Sequence, residues 1–419
     1  MSTLVATADA VRRLAGPRRV AIAGIGLALL GAWLTLPPVL VRSIAWPAVF
    51  GILAAAVGIW AVTRGERKLG WGAVVAGVFA VALGALAQQS STAHLGGANG
   101  AIDWGTLIAT TFIFATPVTY AALGGLFAER SGVINIGLEG MLLMGCFFGI
   151  LGADQFQSWP LGILVAVVSG GALALIYAFF AIHLRADQIV GGTAINFLAL
   201  GITGYFFIRV YGTNGTPQEG IPTIPDVNVP GLDHIPPKRL GHFLDNGFGH
   251  LNLMVWVMLG LLFVTYVVMF RTPVGLRIRS VGEHPRAADT VGLSVYGIRY
   301  GAVVVSGMLA AAGGAYLVNF AGGFQENMTE GRGFIGLAAL IFGNWRPLGA
   351  FGAALLFGFS SALAQRLQDT FQTLSTPTGG SAALLLLNGL PYILTLVAVA
   401  GVIGRSIPPA SVGRPYLKQ

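Results

Sequence analysis

The chain has 419 residues, of which 55% are hydrophobic and only 10% charged, with a mean hydropathy of +0.76. A soluble globular protein carries about 25% charged residues, so a water-soluble fold is excluded and an integral membrane protein is expected. The net charge of +8 comes from basic residues set singly and in pairs at the ends of apolar runs, with no basic stripe and no interleaved aromatics, which excludes a nucleic-acid binder.

Apolar runs long enough to cross about 30 Å at 1.5 Å per residue predict spans at 20–41, 46–63, 69–87 and 105–127. The next fall at 133–152, 161–182, 189–210 and 251–270, and the last at 301–320, 334–345, 348–367 and 382–403. Arg12, Arg13, Arg18 and Arg19 ahead of the first run imitate a signal peptide. Further spans follow at once and no small-residue cleavage site stands behind that run, so a retained helix is expected. The fold class is therefore an all-α polytopic membrane protein of about twelve spans. With both termini on the inner side, eighteen of the 24 Lys and Arg residues fall inside, as the positive-inside rule requires. The 61 glycines fit helices that pack closely in lipid. A single cysteine, Cys146, rules out an internal disulfide and a cysteine-ligated metal site.

Two loops stand out. The outer one, 211–250, holds six prolines and reads as an extended, turn-rich segment, either an external cap or a plain connector. The inner one, 271–300, is the largest polar stretch on its side of the membrane.

The sequence lacks the glycine-rich P-loop with its lysine, the H-E-x-x-H zinc pair and the G-x-S-x-G nucleophile turn, so no ATP-binding, metal or hydrolytic site is expected and no cofactor is implied. What remains is a polar interruption. In ERSGVINIGLEGM, at 129–141, a short break opens into an apolar helix carrying Asn135 and Glu139, four apart and so on one helix face. A charge at mid-membrane costs about 2.5–3.5 kcal/mol on insertion scales, so Glu139 requires a partner or an aqueous path. Two readings stand side by side: Glu139 lines a translocation path, or it accepts hydrogen bonds from the amide ends of an interrupted helix. Gly145 and Gly149 form a G-x-x-x-G seam beside that face. A second interrupted segment, 334–345, is only twelve residues long, about 18 Å at helical rise, and cannot span alone. It begins EGRGFI, an echo of ERSGVI, as an inverted-topology repeat would produce, and paired broken helices of this kind point to the substrate site of a transporter. Asn196 and Asn344 are the other intramembrane polar candidates for the path or its support.

In the inner loop, Pro285 starts a short helix in which Ala287 and Ala288 are small enough for another protein to approach closely. This resembles the coupling helix of ABC-transporter permeases, whose motif is E-A-A, three residues, then G; here Arg286 stands at the Glu position, followed by Ala287, Ala288, Asp289 and, after Thr290 and Val291, Gly292. Together with ATPVTYAALGGLFAERSGVINIGLEGMLLMG and GRGFIGLAALIFGNWRPLGAFGAALLFG, it is similar to the sugar, nucleoside and branched-chain amino-acid permease family, in particular its nucleoside branch. The resemblance covers 101–405 as the permease core, with 211–250 as its external loop and 271–300 as its cytoplasmic coupling loop. Residues 1–100, with three spans, form an extension, and 406–419 a cytoplasmic tail.

The resemblance implies a transport subunit of a bacterial cell-membrane importer rather than an enzyme. Its implied partners are a cytoplasmic ABC ATPase, a second permease subunit, an external substrate-binding lipoprotein, a nucleoside substrate and membrane lipid. Gly282, Glu283, His284 and Pro285, with Arg286, Ala287, Ala288, Asp289 and Gly292, are then expected to dock the ATPase. Asn135, Glu139, Asn196 and Asn344 are expected to line or brace the path. The alternative from the residues alone is a stand-alone secondary transporter or channel for a small polar solute.

Overall fold

A computed structural model describes residues 16–34, 45–92, 104–212, 215–217, 219–236, 238–374 and 406–417. The chain divides into two compact units, residues 1–109 with 228–250 and 360–404, and residues 110–227 with 251–359 and 405–419.

In the first unit, helices α1 (Pro17–Leu34), α2 (Ala45–Thr63) and α3 (Arg67–Thr92) pack on one another. Lipid offers no hydrogen bonds, so an apolar stretch of this length closes its own backbone as a helix. The contact faces are made of small residues. On α2 the buried positions are Pro47, Gly51, Ala54, Gly58 and Ala61, spaced three and four apart, while Ile52, Leu53, Ile59 and Trp60 point outward. A Cβ at Gly51 would sit 2.5 Å from the Gly77 carbonyl oxygen, so α2 and α3 touch backbone to backbone.

The second unit takes in most of α4 (Trp104–Arg130), then α5 (Leu138–Phe156), α6 (Trp159–Ala178, prolonged by a π-turn to His183) and α7 (Gln188–Tyr211). After the 211–250 loop come α9 (Leu253–Arg271), α10 (Pro273–Glu283), α11 (Pro285–Thr290), α12 (Val295–Ala321), α13 (Arg332–Phe342) and the first part of α14 (Pro347–Leu374). The loop itself holds helix α8 (Lys238–Leu244) and the paired three-residue strands β1 (Asp226–Asn228) and β2 (His250–Asn252). Helix α12 is the axis of this unit, buried along Ala310–Val318. The predicted glycine seam packs against it: a Cβ at Gly145 would lie 2.1 Å from Ala311 O, and one at Gly314 would lie 2.0 Å from Leu142 O. Leu138, Met141, Leu173, Tyr177, Ile195 and Val303 fill the space between α5, α6, α7 and α12.

Seven described helices are long and apolar enough to cross a membrane: α2, α4, α6, α7, α9, α12 and α14. Of the expected spans, two lie partly or wholly outside the described residues and two have other bounds. The run at 20–41 is helical as far as Leu34, where the described segment ends, and the span at 382–403 lies outside the described residues. The helix expected from 133 starts at Leu138, because 133–135 has no regular structure and 136–137 form a turn. The short segment expected at 334–345 is α13, eleven residues and about 16 Å long.

Candidate functional site

The first break follows Arg130. Gly132, at φ +95°, turns the chain out of α4, and residues 133–135 run without regular structure. Backbone polar groups in such a stretch need partners among protein side chains, and the neighbouring helices α6 and α7 provide them. Ile134 N–H donates to Gln188 Oε1 at 2.8 Å, and the Tyr177 hydroxyl donates to Ile134 O. From α7, Asn196 Nδ2 donates to Ile136 O at 3.1 Å, while its Oδ1 accepts from Gly140 N–H at 2.8 Å and so caps the start of α5. Asn135 is fully buried; its Nδ2 donates to Ser306 Oγ of α12 at 2.9 Å, and its Oδ1 has no hydrogen-bond partner among the described residues.

The second break, 322–331, leads into α13. The first turn of a helix leaves N–H groups unsatisfied and carries a partial positive charge. Glu139 meets both needs. Its Oε1 accepts from Gly331 N–H at 2.7 Å and its Oε2 from Gly333 N–H at 2.6 Å. A Cβ at Gly333 would lie 2.5 Å from Glu139 Cα, so the starts of α5 and α13 are in backbone contact. Arg332, beside this carboxylate in sequence, instead pairs with Glu330 at 3.3 Å and donates to Met328 O.

From there α13 runs beside the second half of α4, with Gly336 against Val118 and Ala121 and with Leu340 over Gly125. Its far end is held too. The Trp345 indole N–H donates to the buried Glu129 carboxylate, and Arg130 donates to Trp345 O through Nε at 3.1 Å and NH2 at 2.7 Å. Glu129 and Glu139, on either side of the first break, therefore fix opposite ends of α13. The echo between the two stretches is one of order, long helix then break then helix: Gly132 lies in the break, whereas Gly333 lies in the first turn of α13.

The 271–300 loop forms α10 and α11, with Arg286 and Ala287 exposed. Two of its expected docking residues face inward instead. Ala288 is 3% exposed, packed with Val281, Val295 and Tyr416, and a Cβ at Gly282 would lie 2.1 Å from Arg130 O. The covering element is the segment 406–417. Ser411 N–H and Oγ both donate to Gly282 O, Ala410 N–H donates to Glu283 Oε2, and Gly413 N–H donates to Gly132 O. Arg299, 2% exposed at the start of α12, donates from Nε to Ser131 O at 3.2 Å and from NH1 to Arg414 O at 3.1 Å, joining the first break to this segment. Asn344, at φ +53° just past α13, accepts at Oδ1 from Ile407 N–H at 3.0 Å. Burial first, and then the Asp289 carboxylate beside it, raise the Tyr416 phenol above its ordinary pKa.

Among the described residues no three His, Cys, Asp or Glu side chains are grouped to hold a metal ion. The sequence reading brought out Asn135, Glu139 and Asn196, which the structure gathers at the two helix starts, and Asn344, which it sets at the opposite end of α13. It passed over Glu129, Trp345, Tyr177, Gln188 and Arg299. Of these, only Glu129 carried a signal, as a carboxylate at the lip of a predicted span.

A family model described as the permease component of branched-chain amino acid transport systems matches residues 107–387. The chain is 41% identical over 321 residues to the guanosine ABC transporter permease protein NupQ of Bacillus subtilis, a match covering 74% of this chain and 96% of that one. It is 36% identical, with the same coverage, to the nucleoside ABC transporter permease protein NupC of Lactococcus lactis. To the putative glucose ABC transporter permease protein TsgC13 of Haloferax volcanii it is 33% identical over 72% of this chain and 92% of the relative. No solved structure matches. The family match begins behind α1–α3, inside α4, and takes in both breaks, α13 and the α10–α11 loop. With its several membrane-crossing helices, the chain belongs to the family of branched-chain amino acid transport permeases, transport components of the membrane rather than enzymes.

Proposed function

We propose that this chain is the permease subunit of an ABC importer for nucleosides, driven by ATP hydrolysis on a separate subunit. The observation that carries this reading is the meeting of two interrupted helices at their N-terminal ends, with Glu139 and Asn196 between them, in a chain so similar to guanosine and nucleoside permeases. Broken helices whose starts converge are how membrane transporters build a polar site in lipid. In this reading Glu139 and Asn196 brace the two helix starts, and Asn135, with its free Oδ1, is the polar group offered to the path. Asn344 supports α13 from its far end.

The α10–α11 loop and the 406–417 segment face the cytoplasm, as do both termini, in line with the distribution of Lys and Arg. The ATPase docks on the exposed residues of that loop, Glu283, His284, Arg286 and Ala287, while Gly282 and Ala288 hold the loop in shape from within. A second permease subunit completes the pathway, and an external lipoprotein delivers the substrate. Residues 101–405 form the core that does this work, and residues 1–100 are an extension to it.

The test is reconstitution of the chain with its partner permease and its cognate ATPase in lipid vesicles. Guanosine with the binding protein should raise ATP hydrolysis several-fold, and guanosine uptake should require ATP. Uptake that proceeds without the ATPase and follows an ion gradient overturns the reading in favour of a secondary transporter. Competition by glucose but not by guanosine overturns the substrate class alone.

A further inference from the structure

The surface around α11 is not made by α11 alone. Glu283, His284, Arg286 and Ala287 form one wall of a cavity of about 510 Å³, and Arg414, Tyr416 and Leu417 form the facing wall. The second wall is held rigidly by Ser411 on Gly282 O, Ala410 on Glu283, and Tyr416 packed over Ala288.

The charges in this cavity are unbalanced. The one acid in the lining, Glu283, already accepts a backbone N–H from Ala410. No carboxylate lies within ion-pair distance of Arg286 or Arg414 among the described residues, and both side chains are exposed. Two unpaired guanidiniums across one opening suit a carboxylate on the partner, since guanidinium binds carboxylate by paired, directional hydrogen bonds.

We propose that the 406–417 segment is the second half of the ATPase docking site, and that the cavity between it and α11 receives an acidic segment of that ATPase. The proposal rests on the reading that α11 faces the ATPase, and it adds an element that lies outside the coupling loop. The segment is also well placed to pass on motion. It binds Gly132 O in the first break through Gly413 and Asn344 beyond α13 through Ile407, so a pull on it reaches both interrupted helices without passing through α11.

The test uses the full chain with its cognate ATPase. Arg414→Glu should lower the amount of ATPase that co-purifies about tenfold, as Arg286→Glu should, with Tm close to wild type because both side chains are exposed. In a Cys146→Ala background, which is free of cysteine, a maleimide-linked photoreactive probe at Leu417→Cys should crosslink to the ATPase, as one at Ala287→Cys should. If Ala287→Cys crosslinks while Leu417→Cys does not, and Arg414→Glu retains the ATPase, the 406–417 segment is no part of the docking site and the proposal falls with the α11 reading intact. If neither position crosslinks, the docking reading itself falls and takes the proposal with it.

Discussion

The two helix starts that meet in the core are capped by different chemistry. Helix α5 is capped by the neutral amide of Asn196, α13 by the carboxylate of Glu139. An amide both donates and accepts, so Asn196 can take the Gly140 N–H and also satisfy the Ile136 carbonyl in the break before it. A carboxylate only accepts, and Glu139 gives each oxygen to one N–H of α13. The difference lies in what each cap joins. Asn196 ties an irregular stretch to a neighbouring helix, whereas Glu139 ties one helix start to another, at the position where the partial charge of α13 is greatest. The same α4–α5 region grips the other end of α13 through Glu129 and Arg130. Short as it is, α13 is thus clamped at its start to α5 and at its far end to α4, and is expected to move with that pair.

The sharpest way to break the comparison is at Glu139. Removing it as Glu139→Ala orphans two N–H groups, each costing about 1–3 kcal/mol, so a loss of roughly 2–6 kcal/mol is expected, with uptake abolished and Tm lowered. Glu139→Gln keeps one acceptor and the side-chain shape. It should recover most of the lost Tm and part of the uptake. A Glu139→Gln protein with wild-type Tm and no uptake at all would mean that the charge itself serves transport, and the capping account would then be insufficient.

Asn196→Leu should have a smaller effect. It leaves Gly140 N–H and Ile136 O without their partner, but both bonds are between neutral groups and Asn196 is only half-buried, so water can reach part of the site. About 1–3 kcal/mol is expected, read as a lower Tm, with uptake reduced about tenfold by loosening of the break. Asn196→Asp tests which half of the amide matters. It keeps the acceptor for Gly140 and loses the donor to Ile136, so stability near wild type would assign the effect to the cap on α5. A loss as large as that of the leucine variant would assign it to the break.

How much of this was legible follows from where each contact lies in the chain. Apolar length placed most of the described helices to within several residues, because a helix in lipid leaves few alternatives, and the glycine spacing marked the face of α5 that α12 covers. Glu139 was legible as a residue in need of a partner. One of its two readings, an acceptor for the amide end of an interrupted helix, names the kind of partner; that this helix is α13 was not legible, because Gly331 and Gly333 contribute backbone N–H groups, which any sequence has. The inward turn of Ala288 was hidden for a related reason. A small residue allows close approach, but nothing in Ala287-Ala288 says which alanine faces a partner and which faces Tyr416, far along the chain. The 406–417 segment, with its prolines, serines and glycine, has no period to read, yet its backbone binds Gly132, Gly282 and Arg299. Arg299 itself counted only as one more inner charge, since burial by a distant segment leaves no local mark.

The smallest effect is expected at the other end of α13, where the comparison is between two acids. Glu129 accepts a single indole N–H from Trp345, and a glutamine oxygen can do the same. Glu129→Gln should therefore cost under about 1 kcal/mol and leave uptake near wild type, because a charged acceptor exceeds a neutral one by about that margin. Glu129→Ala leaves the indole N–H buried and unpaired, at about 1–3 kcal/mol. Trp345→Phe removes the donor, and in combination with Glu129→Ala it should restore part of the loss, a coupling of about 0.5–3 kcal/mol in a double-mutant cycle. The cycle is measured by Tm, with uptake as the second readout. If Glu129→Gln silences transport as completely as Glu139→Ala, then Glu129 does more than hold Trp345. The clamp at this end of α13 would then depend on its charge, and the contrast between the two acids would disappear.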